Sequence, residues 1–325
     1  MLDKKRKQEP VGKVVLLLFL VSQLLSLAAP TAQAARSGDN IDITFPSESI
    51  GQLSILKSNW HPARVSRNDS VPLGPARGVI SVPRNSSLKL VGNYSLESSL
   101  KVLETLPAAN IIALDLRKLP LDDSKLAPIS HLTALRHLSL EATEVSDGSL
   151  KYMVALPHLQ YLSLKSTLFT GKNGGLKDLA QIHSLRQIRL GHNELKGLDF
   201  RPISALKNLT TFQISCSQID DKALHEIGAL TQLDSLDISG NNKITDKGLL
   251  QLLPIKHLRH LDISDLKITK NGIIALAPMR IKFISLYYRD FKPGELAEIK
   301  SHLQGTTLQD ATKKEVPSEV YAPLH

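Results

Sequence analysis

Aliphatic residues recur along the chain in the spacing L-x-x-L-x-L, which is found eight times between residues 111 and 286. All 24 positions of this frame hold Leu, Ile or Phe. Successive frames are 23 to 26 residues apart and open at Ile111, Leu135, Leu159, Leu185, Leu209, Leu233, Leu258 and Ile281. A regular period of this length indicates a repeat protein in which each unit packs against its neighbours.

Each frame predicts one β-strand, because its fourth and sixth positions alternate and therefore point to the same face. Three residues beyond the sixth position, short polar side chains can hydrogen-bond the backbone of neighbouring turns. These residues are Thr143, Thr167, Asn193, Ser217 and Asn241. The series is broken at Leu119, Leu266 and Arg289, so we expect less regular geometry in the first and the last two repeats.

Helix-start signals follow the polar positions and predict one short helix per repeat. They are clearest at Ser146-Asp147, Asp220-Asp221 and Thr245-Asp246. In the 26-residue repeat, Gly171, Gly174 and Gly175 replace this signal, which predicts a looser turn.

The frame, the polar position and the T-D-x-G-L sequence at Thr245 to Leu249 resemble the leucine-rich-repeat family over about residues 111–300. The resemblance implies an α/β fold, a curved solenoid with a parallel β-sheet on the concave side and short helices on the convex side. It also implies that the concave side binds another macromolecule.

The remaining segments predict the domain organisation. Residues 1–34 combine a basic start, a mainly apolar stretch of sixteen residues and Ala32-Gln33-Ala34, which indicates a cleaved secretory signal. An uncleaved membrane anchor is the alternative, although about 20 residues are needed to span a bilayer. We expect an N-terminal cap over residues 35–110, the solenoid over 111–304 and a flexible tail over 305–325. Export would place the protein in the periplasm, at the cell surface or outside the cell.

Both ends of a solenoid need a cap, and the sequence offers residues for each. In the N-terminal region, short strands are expected at Leu53-Ile55, Val79-Val82 and Leu88-Leu90, and a helix over Leu96, Leu100, Leu103 and Leu106. Trp60, the only tryptophan, is expected in this cap, with an exposed contact as the alternative. The last repeat concentrates aromatic residues that suit either a cap or a binding hot spot, namely Phe283, Tyr287, Tyr288 and Phe291.

Composition narrows the possible functions. Without residues 1–34 the formal charge falls from +9 to +6, and aromatic residues make up only 4% of the chain, which argues against nucleic-acid binding. Cys216 is the only cysteine, so no intramolecular disulfide can form. Local motifs for hydrolases, phosphate binding or metal binding are missing, so we expect no enzyme, no cofactor and no metal, and membrane contact only through the signal segment.

The frame predicts which side chains point to the concave side, namely its second, third and fifth positions and those just after the sixth. Repeats two to four place a basic and aromatic group there: Arg136, His137, Tyr161, Lys165, Arg186, Arg189 and His192. Repeats six to eight add Asp234, Asp237, Arg259, His260, Asp262, Asp265 and Phe283. The basic group is either a solvated face or a site for an acidic protein segment or an anionic surface polymer.

Asp237 and Asp262 occupy the same frame position in adjacent repeats and should be neighbours of like charge. Arg259 is near enough to pair with Asp234, which would relieve part of the repulsion. A bound cation or a basic partner is the alternative, although Ca²⁺ prefers six to eight oxygen ligands. We therefore expect an exported protein-binding or polymer-binding module, with a structural envelope protein or an envelope-polymer hydrolase as alternatives.

Overall fold

The computed structural model describes residues 39–62, 69–97 and 100–313. The predicted signal segment and residues 314–325 lie outside these ranges. Within them, twelve strands form one long, mostly parallel sheet, and short helices lie on the convex side of it. The predicted solenoid is therefore confirmed. In the described part of the chain, no helix is long and apolar enough to cross a membrane.

The strands follow the repeat frames closely. Their bounds are β1 Asn40–Thr44, β2 Gly51–Leu56, β3 Ser70–Pro75, β4 Val79–Pro83, β5 Leu88–Gly92, β6 Ile111–Asp115, β7 His137–Ser139, β8 Tyr161–Ser163, β9 Gln187–Arg189, β10 Thr211–Gln213, β11 Ser235–Asp237, β12 His260–Asp262, β13 Phe283–Leu286 and β14 Thr307–Asp310. Strands β5 to β14 pair in parallel and in chain order.

The fourth frame position of each repeat lies beside that of the next. Leu138 pairs with Leu162, and Leu236 pairs with Leu261. All four side chains are buried in one continuous hydrophobic core that runs the length of the solenoid. The inward orientation predicted for the aliphatic frame is therefore confirmed.

The strands are short because the chain turns two residues after the sixth frame position, where φ is positive in successive repeats. The residues at this turn are Lys118, Ala142, Ser166, His192, Cys216, Gly240 and Asp265. The left-handed backbone costs a residue with a side chain about 1–2 kcal/mol. The neighbouring turn offsets part of that cost, because Cys216 N–H donates to Ser239 O and Gly240 N–H to Ser264 O.

The N-terminal cap combines two small β structures. Strands β1 and β4 form an antiparallel pair, and β2 pairs antiparallel with both β3 and β5. Strand β5 also pairs in parallel with β6, so the parallel stack begins at Leu88. Where one helix was expected, the described residues form an α-helical turn, α1 (Tyr94–Glu97), and a 3₁₀ helix (Leu100–Thr105).

The convex side carries a mixture of α and 3₁₀ helices. The α-helices are α2 Leu150–Val154, α3 Gly175–Ala180, α4 Asp221–Ile227, α5 Asp246–Leu250, α6 Lys270–Ile274 and α7 Pro293–His302. The other 3₁₀ helices are Asp123–Lys125, Ala127–His131, Asp147–Ser149, Arg201–Ala205, Ala277–Met279, Tyr288–Asp290 and Ala311–Lys313. The predicted N-caps are confirmed, since the side chains of Ser146, Asp220 and Thr245 each accept a backbone N–H at the start of the following helix.

The T-D-x-G-L sequence has a physical cause in the contact between successive repeats. The Asp221 carboxylate accepts from the N–H and the hydroxyl of Thr245, at 2.8 and 2.6 Å. This contact brings the carboxylate so close to Gly248 that a Cβ there would lie 2.1 Å from its Oδ1. The glycine is therefore required by the aspartate of the preceding repeat.

The 26-residue repeat contains the expected irregular turn. Gly171, Asn173 and Gly174 have positive φ, and the turn is held by Asp147, whose Oδ1 accepts from Gly171 N at 2.8 Å. A helix still follows, since α3 begins at Gly175.

The flexible tail predicted from residue 305 is wrong for its first residues. Strand β14 pairs in parallel with β13, with Leu286 beside Asp310, and so extends the sheet beyond residue 304. The Tyr288 hydroxyl donates to Leu308 O at 2.7 Å. Thr306 to Asp310 run beside β13 and so continue the sheet, although only Leu308 is apolar among them.

Polar side chains that follow several of the strands join one repeat to the next, most completely at the buried Asn241. Its amide nitrogen donates to Ile214 O and Ile238 O at 2.9 and 2.8 Å. Its Oδ1 accepts from Ser217 N and Ile219 N at 2.9 and 3.2 Å. One side chain therefore bonds backbone groups in two repeats.

We predict that Asn241→Ala lowers the free energy of unfolding by about 3 kcal/mol, because it leaves buried backbone groups without partners. Urea denaturation followed by circular dichroism measures this loss. The neighbouring Asn242 is exposed, so Asn242→Ala should stay within about 0.5 kcal/mol of the unsubstituted chain. Equal losses in the two variants would contradict the role given to Asn241.

Candidate functional site

The third frame positions form one column of side chains along the concave side of the sheet. In register, this column runs through His137, Tyr161, Gln187, Thr211, Ser235, His260 and Phe283. The concave placement predicted for His137, Tyr161, His260 and Phe283 agrees with this register. Three of them, His137, Tyr161 and His260, are nevertheless buried.

His137 is buried because a segment of the N-terminal cap lies against it. Its Nδ1 is 2.7 Å from Pro62 O, and its ring stacks on Tyr161 with centroids 4.0 Å apart. The ring of Trp60 meets His137 edge-on at 6.4 Å. We call this contact of Trp60 and Pro62 with His137 and Tyr161 the cap latch. Trp60 thus lies in the cap, as expected, but is only half-buried.

The cap latch sets the protonation of its histidine. Burial lowers the pKa of His137 from 6.5 to about 4, and the hydrogen bond to Pro62 O offsets only part of this effect. His137 is therefore neutral at pH 7 and packs as an aromatic side chain.

A trough of about 350 Å³ lies at the carboxyl-terminal ends of the central strands, on the concave side. Its lining includes Lys165, Arg189 and His192 towards the N-terminal repeats, and Asp237, Asp265 and Tyr287 towards the C-terminal repeats. Small and uncharged residues lie between them: Gly191, Gln213, Ser215, Cys216, Ser239, Gly240 and Ser264. Arg136 and Arg186 are exposed but do not line this trough.

Two cations at the basic end of the trough share one carboxylate. Glu141 lies 3.5 Å from Lys165 Nζ and 3.6 Å from Arg189 Nη1. Arg189 Nη1 also donates to the Tyr161 hydroxyl at 3.3 Å. Two cations beside one anion leave this end with a net positive charge.

The acidic end of the trough contains Asp237, and the adjacent aspartate predicted from the sequence, Asp262, lies beside it outside the trough lining. Asp237 and Asp262 are register partners in β11 and β12. Asp237 Oδ1 accepts from Ser239 N at 3.0 Å and from its hydroxyl at 2.6 Å, and Ser264 makes the same two contacts with Asp262 Oδ1. These donors disperse the like charges.

The predicted pair of Arg259 with Asp234 is present at the edge of the acidic end. The guanidinium donates from Nε and, at 2.9 Å, from Nη2, and the pKa of Arg259 is raised by this hydrogen bond. Among the described residues, no group of three or more His, Cys, Asp or Glu side chains could hold a metal ion. Asp234 is therefore held by the ion pair with Arg259.

Aromatic rings close the C-terminal end of the concave face. His260 stacks on Phe283 with centroids 4.9 Å apart, and Lys282 lies 5.0 Å above the Phe283 ring. Burial lowers the pKa of His260. Tyr287 lines the trough, whereas Tyr288 packs against the core and bonds β14, so the last repeat supplies both a cap and a concave surface.

Polar atoms that sequence reasoning did not identify also lie in the concave columns. Ser163 Oγ and Gln187 Oε1 are buried and have no hydrogen-bond partner among the described residues. Both belong to the repeats that carry the basic end of the trough. The frame could have predicted where these two residues lie. It could not have predicted that they lack a partner, because this depends on the neighbouring side chains.

Comparisons with known proteins agree with the repeat architecture. Residues 183–244 and 255–277 each match a family model described as leucine-rich repeat, and no curated protein matches the chain. A solved internalin C2 from Listeria monocytogenes is 22% identical, with a TM-score of 0.45 over 68% of this chain and 80% of that chain. Another Listeria monocytogenes internalin, inlF, is 18% identical, with a TM-score of 0.44 over 68% and 70%. At these values the internalins give no ligand for this chain.

We predict that the cap latch weakens as the pH falls from 6.5 towards 4. In this window the unfolded chain binds a proton at His137 that the folded chain does not, so the free energy of unfolding decreases with falling pH. The loss reaches about 3 kcal/mol near pH 4, at 1.36 kcal/mol for each pKa unit.

Urea denaturation of the unsubstituted chain and of His137→Gln between pH 7 and 4.5 measures this loss. The stability advantage of the unsubstituted chain should shrink as the pH falls. The exposed His158 provides the control, since His158→Gln should leave the pH dependence unchanged. A constant difference between the unsubstituted chain and His137→Gln over this range would contradict the prediction.

Proposed function

We propose that this leucine-rich-repeat protein is a non-catalytic binding module that holds an extended segment of another protein in the concave trough. The observation that carries the proposal is the separation of charge along the trough, with Lys165 and Arg189 at one end and Asp237 and Asp265 at the other. Such a surface fixes the orientation of a ligand whose charges are arranged in the opposite order.

The spacing of the two ends suits an extended peptide that crosses the strands. Arg189 and Asp237 occupy the same register position and are separated by one strand, which carries Gln213. Two strand spacings amount to about 10 Å, and an extended chain advances about 3.3 Å per residue. An acidic and a basic residue about three positions apart would therefore reach both ends.

The middle of the trough allows a peptide backbone to approach closely. Gly191 and Gly240 have no side chain, and the serines beside them are small. The trough is open along its length and does not enclose its contents. This shape favours binding over catalysis, which commonly depends on the exclusion of water.

The acidic end distinguishes a protein segment from an anionic polymer. A polymer with a negative charge on every unit would be attracted by Lys165 and Arg189 but repelled by Asp237, Asp262 and Asp265. A protein segment can place opposite charges at the two ends. If the predicted signal segment directs export, the partner would be met outside the cytoplasm.

We predict that a random peptide library selected on the full chain yields peptides with an acidic and a basic residue three or four positions apart, in one order. Arg189→Gln and Asp237→Asn should each weaken such a peptide about tenfold, because each removes one charged contact. Isothermal titration calorimetry measures the affinities.

Lys222→Gln is the matched control, because Lys222 is exposed in α4 on the convex side and its loss should not change the affinity. The double variant Arg189→Glu with Asp237→Lys should prefer a peptide in which the two charges are exchanged. Selected peptides without a charge order would sink the proposal. Peptides affected by Lys222→Gln alone would place the binding site on the convex side.

A further inference from the structure

A second concavity lies at the opposite ends of the strands from the trough. It has a volume of about 530 Å³ and is formed by the end of β2, the turn after β4 and the amino-terminal ends of β6 and β7. We call it the cap groove. It shares no lining residue with the trough, and its size falls within the range of small-molecule sites.

One wall of the cap groove is apolar and includes a fixed aromatic ring. Ile55, Leu56, Pro83 and Ile112 line it together with Trp60. The cap latch holds the Trp60 ring against His137, yet Trp60 stays partly exposed. A tryptophan held in place by its neighbours in this way offers a preformed surface on which a ligand ring can stack.

Another part of the lining offers hydrogen-bonding groups. Ser58, Asn85, Ser86 and Ser87 line it, and their side chains make no hydrogen bond to the described residues. Hydroxyl and amide groups can each donate and accept. A ligand rich in hydroxyl groups would therefore form more hydrogen bonds with these side chains than an apolar ligand would.

Two cations complete the cap groove. Lys57 and Arg136 line it, both are exposed, and neither forms an ion pair or a side-chain hydrogen bond with any described residue. No Asp or Glu is among the described residues that line the groove. The cap groove therefore attracts a negative charge, and Arg136 can hold a carboxylate or a sulfate through two parallel hydrogen bonds.

We propose that the cap groove binds a sugar ring that carries an anionic substituent. The ring stacks on Trp60, its hydroxyl groups bond Asn85 and the neighbouring serines, and its carboxylate or sulfate pairs with Lys57 and Arg136. A peptide that ends in an aromatic residue could contact the tryptophan and the cations, but it would leave Asn85 and the serines of the groove without a partner. This site is independent of the protein-binding trough.

The chain reports on this site directly, because Trp60 is its only tryptophan. We expect digalacturonate or a sulfated disaccharide to shift or quench the tryptophan fluorescence of the full chain, and a neutral disaccharide to leave it unchanged. Comparison of the first two shows which anionic group the cap groove prefers. Affinity should fall as salt is added, because both cations are exposed.

Lys57→Gln and Arg136→Gln should each weaken binding of the acidic sugar about tenfold or more in calorimetry. Arg186→Gln is the matched control, since Arg186 is an exposed arginine at the same frame position two repeats further on. Arg189→Gln, which alters the trough, should leave sugar binding unchanged, so failure of one site is distinguishable from failure of the other.

Three results would overturn the proposal. They are equal binding of the neutral disaccharide, binding of the acidic sugar that survives both substitutions, and the absence of any fluorescence or calorimetric response. If only a peptide with a free C-terminal carboxylate bound, the cap groove would instead be a peptide site and the sugar proposal would be wrong.

Discussion

The structure depends on hydrogen bonds that each repeat supplies to its neighbour. A unit of about 24 residues cannot satisfy its own turns, and the parallel sheet bonds only the short strands. The buried amide of Asn241 bonds carbonyl groups in two repeats, and Asn193 makes the equivalent contacts two strands earlier in the stack, with Leu164 O and Leu190 O. On the convex side, Asp221 and Asp246 each hold the backbone at the start of the following helix. The repeats are therefore joined after the strands and at the helix starts, as well as through the core.

The same stacking determines the chemistry of the concave face. Because neighbouring strands lie about 4.8 Å apart, residues at one frame position form a continuous column, and like charges in that column are brought together. The chain meets this constraint by local contacts. Serines two residues further on bond Asp237 and Asp262, and Glu141 lies between Lys165 and Arg189. Charge is thus kept separate along the trough and is not neutralised across it.

Much of this architecture could be predicted from the sequence, because the frame is a local pattern. Strand positions, the inward aliphatic residues, the N-caps and the pair of Arg259 with Asp234 all follow from residues at fixed spacing. The burial of His137 does not, because its contact with Pro62 spans 75 residues and depends on how the cap folds. Strand β14 was missed because Leu308 alone is apolar in it, and the role of Gly248 requires the position of Asp221.

The cap latch covers part of the concave face. Trp60 and Pro62 lie against His137 and Tyr161, so this part of the face is not open to a ligand that lies across the strands. The same contact fixes Trp60 on the other side, where it lines the cap groove. One segment of the cap therefore covers part of the concave face and also lines the cap groove. The two grooves lie at opposite strand ends and differ in chemistry. The trough has separated charges, whereas the cap groove has an aromatic ring and two cations. A ligand suited to one would lack the groups that the other recognises, so the two sites can act independently on the same solenoid.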